Sequence, residues 1–185
     1  MATETDRQNP KQAKQMISTV DTWDLARLGR EQRGEAALAS FARLLDGLPA
    51  QAESLVSWAI AGQTDALQRR YITLRADATV RMVCQRCLAE FDLPLHVETR
   101  LQLVETEAEI QAEESGEDDP EAPDQVLGSS FFDVLSLVED ELILALPYVP
   151  KHEVCPSLPK ELNDSEGGDA GRPSPFAVLA KLKKD

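Results

Sequence analysis

Aromatic side chains are scarce in this 185-residue chain: five Phe, two Trp and two Tyr. A core of ordinary size must then be assembled from Leu, Val, Ile and Ala. There are only three cysteines, an odd number that excludes a fully paired disulfide framework and fits a reducing compartment. No apolar run reaches the length of a membrane span. The longest, around Leu135 to Leu146, is broken by Glu139, Asp140 and Glu141. The opening residues MATETDRQNPKQAKQM hold no apolar stretch of the signal-peptide kind. A cytoplasmic protein without membrane attachment is expected.

The residues of catalysis are also thin. The histidines are His96 and His152 alone, with no Gly-rich phosphate loop and no Ser/His/Asp arrangement. His96 alternates with apolar residues and reads as part of a half-exposed sheet face. The carboxylates are too many, and too concentrated in one segment, to single out an acid and a base. The expectation is a protein that is not an enzyme.

Charge is what the chain has in excess, and it is unevenly spread. Residues 1–90 carry 12 Lys and Arg against 11 Asp and Glu, whereas residues 91–185 carry 7 against 22. Affinity for a phosphate backbone comes mainly from Lys and Arg, so a net charge of −14 opposes RNA binding by the whole surface. It suits a basic partner, or simply solubility.

Periodicity divides the chain. Residues 1–18 are polar and read as an unstructured N-terminus. Thr22 to Leu28 reads as a short helix or turn burying Trp23, Leu25 and Leu28. Leu38, Phe41, Leu44, Leu45 and Leu48 have helical spacing, ended by Gly47 and Pro49. From Ser54 the period shortens to two. Ile72, Leu74, Ala76, Ala78, Val80 and Met82 then fall on one face of a strand, opposite Thr73, Arg75, Asp77, Thr79 and Arg81. Phe91 to Val104 repeats the alternation, so the intervening cysteines lie on a hairpin turn.

Residues 105–124 contain ten acidic residues and no basic one, and read as a solvated loop. Asp133 to Leu146 is a helix stopped by Pro147. A last short helix starts at Ser174-Pro175-Phe176, with Phe176, Leu179 and Leu182 on one side beside Lys181, Lys183 and Lys184. The expected fold is α+β, an antiparallel sheet with packed helices. In one reading the sheet curls into a small barrel. It occupies residues 19–155, followed by a tail over 156–185.

Two short segments hold all the cysteines. Cys84-Gln85-Arg86-Cys87 places two sulfurs at a separation suited to tetrahedral zinc, which is half a site. His152 and Cys155 supply the other half if the chain after Pro147 folds back over the hairpin. The alternative is that the cysteines are small residues in a tight turn, unconnected to His152 and Cys155. A redox Cys-x-x-Cys ordinarily sits at a helix N-terminus, and this one lies between strands. Elsewhere, Arg75, Arg81 and Arg86 form a candidate strip for RNA or an acidic group. Glu139, Asp140 and Glu141 could receive a basic partner or pair with nearby arginine. Phe176, Leu179 and Lys181 could dock on the core or on a partner.

Read together, CQRCL at 84–88, VEDELILALPYVP at 138–150 with a following His, and the ending RPSPFAVLAKLKKD resemble the YceD family, the large ribosomal RNA subunit accumulation proteins. The resemblance runs from about Thr19 to the C-terminus and is loose over the first 70 residues. It implies a bacterial cytosolic factor in the synthesis, processing or stability of large-subunit ribosomal RNA, with no established catalytic activity. Some relatives carry a Cys-Pro-x-Cys-Gly form in the second region, completing a cysteine-only metal site. Here Val154-Cys155-Pro156-Ser157 keeps the Cys-Pro and lacks the second cysteine. In that setting an acidic protein is expected to meet a basic large-subunit ribosomal protein or a pre-ribosomal particle. Direct binding of ribosomal RNA and a zinc- or redox-sensing module stay open as alternatives.

Overall fold

The computed structural model describes residues 19–114 and 123–156. The unstructured N-terminus and the terminal helix expected from sequence, with Phe176, Leu179 and Lys181, lie outside the described residues. The elements in order are β1 (Thr19–Val20), α1 (Thr22–Leu28), β2 (Glu31–Ala37), a 3-10 turn (Leu38–Ser40), β3 (Leu55–Thr64), β4 (Arg70–Val83) and β5 (Glu90–Val104). They are followed by α2 (Glu107–Glu114), β6 (Gln125–Leu127), β7 (Phe132–Asp133) and α3 (Val134–Ala145).

The main sheet has the order β2-β3-β4-β5-β6, antiparallel except where β6 runs parallel to β5. The α+β class stands and the small barrel does not. β2 and β6 are the two edges and do not pair, so the sheet stays open. A separate two-stranded pair joins β1 to β7.

The alternation in β4 does what its period demands. Ile72, Leu74, Ala76, Ala78, Val80 and Met82 are all buried, and Arg75, Asp77 and Thr79 face solvent. Against the buried face lie Val134, Val138 and Leu142 of α3 and Leu25 and Ala26 of α1. Asp133 caps α3, its carboxylate accepting from the Leu135 and Ser136 amides at 3.0 and 3.3 Å. α1 is capped the same way by Asp21 and ended by Gly29, which supplies the left-handed φ of 59°. Its backbone lies so close to β3 that a Cβ on Gly62 would fall 2.1 Å from the Leu25 carbonyl carbon. Leu28, expected inside, is exposed, and Thr22 is buried instead, hydrogen bonded to Ser129.

Two expectations change in kind. The Leu38–Leu48 segment is not an α-helix but the 3-10 turn and a run of tight turns. Its buried Leu38, Phe41 and Leu44 stand three apart, a spacing that serves i→i+3 turns as well as a helix. Glu139 fixes the chain there by accepting from the Arg43 and Leu44 amides at 2.7 and 3.2 Å. The acidic stretch is likewise not all loop. Glu107–Glu114 is helical, with acidic residues in the first turn where the helix dipole favours them. Among the described residues, no helix is long and apolar enough to cross a membrane.

Candidate metal centre

The β4–β5 hairpin closes on the residues between Val83 and Glu90. Cys84 donates its N–H to Ala89 O at 2.9 Å, and Leu88 donates to Cys84 O at 2.8 Å. Leu88 takes a left-handed φ of 61° to complete the turn. Thus Cys84 ends buried at the base of the knuckle and Cys87 half-buried near its tip. The second half arrives from beyond α3. Pro147 follows the helix end, and the chain comes back until the Pro150 carbonyl accepts from the Gln85 amide at 2.8 Å. His152 and Cys155 then sit over the knuckle.

The ligating atoms of Cys84, Cys87, His152 and Cys155 all lie within 4.8 Å of one another. Cys84 Sγ and Cys155 Sγ are 3.7 Å apart, and Cys87 Sγ is 3.4 Å from His152 Nδ1. Sulfurs about 2.3 Å from a tetrahedral metal would stand about 3.8 Å from each other, so the donor set fits zinc in type and number, and the Cys84–Cys155 pair fits it in spacing. The sulfur–sulfur distance is also far from the roughly 2.05 Å of a disulfide. The His152 ring rests on Phe91, centroid to centroid 4.6 Å, which fixes its plane.

The surroundings favour thiolate at Cys84. Burial pushes its thiol up, but N–H groups of His152, Cys87 and Arg86 turned on the sulfur outweigh burial and bring it down to about 5. Burial raises the Cys155 thiol, and Arg86 opposes it. Arg86 is the residue whose role sequence did not give. Read as a turn-tip contact for a phosphate or an acidic group, it turns toward the cluster. Its Nε donates to Cys155 Sγ at 2.9 Å and its Nη2 to the His152 carbonyl at 3.0 Å.

The remaining candidates lie apart from this cluster. Arg75 pairs with Glu98 at 2.8 Å and Arg81 with Asp92 at 3.0 Å on the open sheet face. His96 shares that face and contacts Asp77 at 2.6 Å. Glu139 and Asp140 both pair with Arg43, and Glu141 accepts from the Thr99 hydroxyl at 2.6 Å. The acidic run of α3 is therefore the side by which the helix ties itself to the tight turns after the 3-10 segment and to β5.

Residues 72–183 match the family model described as "Large ribosomal RNA subunit accumulation protein YceD", and that span contains all four residues of the cluster. Over 118 residues the chain is 35% identical to the large ribosomal RNA subunit accumulation protein YceD of Haemophilus influenzae. That alignment covers 57% of this chain and 60% of the relative, so the chain spans about three fifths of the relative's length. No solved structure matches. With well over half its length inside the family model, and with the knuckle and its partner segment both in the matched span, the chain belongs to the YceD family.

Proposed function

We propose that this chain is a cytoplasmic bacterial factor of large-subunit ribosome biogenesis, supporting the synthesis, processing or stability of large-subunit ribosomal RNA without catalysing a reaction. Membership of a family described by accumulation of the large ribosomal RNA subunit supports that reading. Its means is capture of a basic large-subunit ribosomal protein, or of a pre-ribosomal particle displaying one. The observation behind this mechanism is the state of the arginines. Arg75 and Arg81 are each held by a carboxylate and Arg86 is turned to the cysteines, while residues 91–185 carry 22 acidic against 7 basic residues. Among the described residues, phosphate finds these three arginines already engaged; a cationic protein has many carboxylates to meet.

In this reading Cys84, Cys87, His152 and Cys155 hold zinc. Four protein ligands leave no open position, so the metal's contribution is to fasten the 150–155 segment to the hairpin. The test is affinity capture from growing bacteria with and without nuclease, read by mass spectrometry. A large-subunit ribosomal protein that survives nuclease, and then binds the purified chain without RNA, supports protein capture. Loss of every partner with the RNA overturns it in favour of direct RNA binding, which should weaken steeply with salt.

A further inference from the structure

Between the two cysteines of the knuckle lies a side chain that reaches past its own half of the site. The guanidinium of Arg86 meets the second half at three points: Cys155 Sγ at 2.9 Å, the His152 carbonyl at 3.0 Å and the Glu153 carbonyl at 3.4 Å. One donor group thus touches a ligand sulfur and, through the backbone, the residue carrying the imidazole ligand. We propose that Arg86 is the positioning residue of the metal centre, holding Cys155 and His152 in register with the knuckle and neutralising the charge the loaded site acquires. The proposal rests on the zinc reading above.

Charge gives the first argument. Three thiolates, a neutral imidazole and a divalent ion sum to one negative charge, at a place where Cys84 and Cys155 are fully or almost fully buried. A buried charge is costly unless a partner of opposite sign is hydrogen bonded to it. Arg86 places a cation in contact with a ligand sulfur. Geometry gives the second. A lysine ammonium has the charge, but the planar guanidinium can present Nε to the sulfur and Nη2 to the carbonyls at once. The third is connectivity. The Gln85 amide holds Pro150 and the Arg86 side chain holds residues 152 to 155, so consecutive residues of the knuckle organise consecutive stretches of the opposing segment. Outer-shell partners of this kind commonly change metal affinity by about 10- to 100-fold.

The experiment uses the full chain, stripped of metal and titrated with Co(II) as a spectroscopic probe, then with Zn(II) against a chelator. Wild type, R86Q and R86K are compared, with circular dichroism as the check of fold. Wild type is expected to take up one Co(II) with the visible bands of a tetrahedral sulfur-rich site. R86Q should bind about 10- to 100-fold more weakly. Its sulfur-to-metal charge-transfer band should move to lower energy, because a thiolate that loses a hydrogen bond gives up its electrons more readily. R86K should recover part of the affinity. Equal affinity and an unshifted band in R86Q overturn the proposal, as does a loss of thermal stability with no change in either. If R86Q does not fold, R86K decides: weaker binding with a shifted band is expected, and identity with wild type overturns it. A wild-type chain that takes up neither metal instead sinks the zinc reading itself, a result that cannot be confused with an indifferent arginine.

Discussion

The Gln85 amide donates to the Pro150 carbonyl at 2.8 Å, across 65 residues of chain, and so lays the segment after α3 over the hairpin knuckle. The cysteine cluster is a consequence of that contact and of the hairpin register. It stands at one end of a sheet whose core, from Ile72, Leu74 and Val80 to Val138 and Leu142, is buried independently of it. On that burial the fold is expected to persist whether or not the cluster holds a metal, unlike that of small zinc modules, which unfold without it.

In the proposed zinc-loaded chain, removing the metal should therefore loosen one end and leave the fold. For the zinc-loaded chain, chelation is expected to lower the melting temperature by roughly 10 °C, from the affinity lost. Far-UV circular dichroism at 25 °C should be nearly unchanged. Cys84→Ser and Cys155→Ser should show the lower melting temperature and no further response to chelator. A melting temperature indifferent to chelator, with metal loss verified by elemental analysis, would count against a structural zinc.

Glu139 and Asp140 are adjacent acidic residues on α3, and both pair with Arg43. Their roles differ. Glu139 is mostly covered and also accepts from two backbone amides, while Asp140 is half exposed and makes a surface ion pair. Glu139→Ala leaves the Arg43 and Leu44 amides without their acceptor and should cost about 1–3 kcal/mol in denaturant unfolding. Asp140→Ala should fall within the scatter of the measurement. The ordering is the prediction, and equal effects would contradict it.

How far sequence reached depended on where each signal lay. β4 and β5 were legible because their buried residues alternate within the strand itself. β2 was not, because its inner face is supplied from elsewhere. Gly34 has no side chain and is overlaid by Trp58 of β3, so close that a Cβ there would lie 2.4 Å from the ring. Of the residues in β2 only Ala36 is buried. α2 escaped notice for a related reason, since its run of glutamates has no apolar stripe for a period to reveal. The donor set could be read from spacing. Whether the two half-sites meet, and that Arg86 aims at Cys155, are set by a return of the chain that no local pattern encodes. Barrel closure was equally out of reach, being decided by whether β2 and β6 meet.

Leu88 closes the knuckle in a left-handed conformation with its side chain largely exposed. For a leucine that conformation is unfavourable, and little burial compensates it; glycine adopts it freely. Leu88→Gly should therefore raise stability by up to about 1 kcal/mol in urea unfolding, with uptake of added Co(II) by the chain unchanged. A loss of stability instead would show that the leucine side chain holds the turn through packing.

On the open face of the sheet, Arg75 and Glu98 face each other across β4 and β5. The hydrogen bond from Arg75, helped by its charge, holds the Glu98 carboxyl below the usual range. A carboxyl lowered by folding stabilises the native state above its unfolded value, near 4.3 for ordinary glutamate, and that contribution is lost as pH falls through the folded value. Arg75→Ala should return Glu98 toward the ordinary value in an NMR pH titration. Its destabilisation should be small, since both side chains are exposed, and greatest near neutral pH. It should fade as pH falls through the lowered folded value of Glu98, below which both states are protonated. If Glu98 titrates identically in the variant, the arginine is not what lowers it, and the pairing across the strands is too loose in solution to occupy Arg75. Arg75 would then be open to phosphate on this face, contrary to the protein-capture reading.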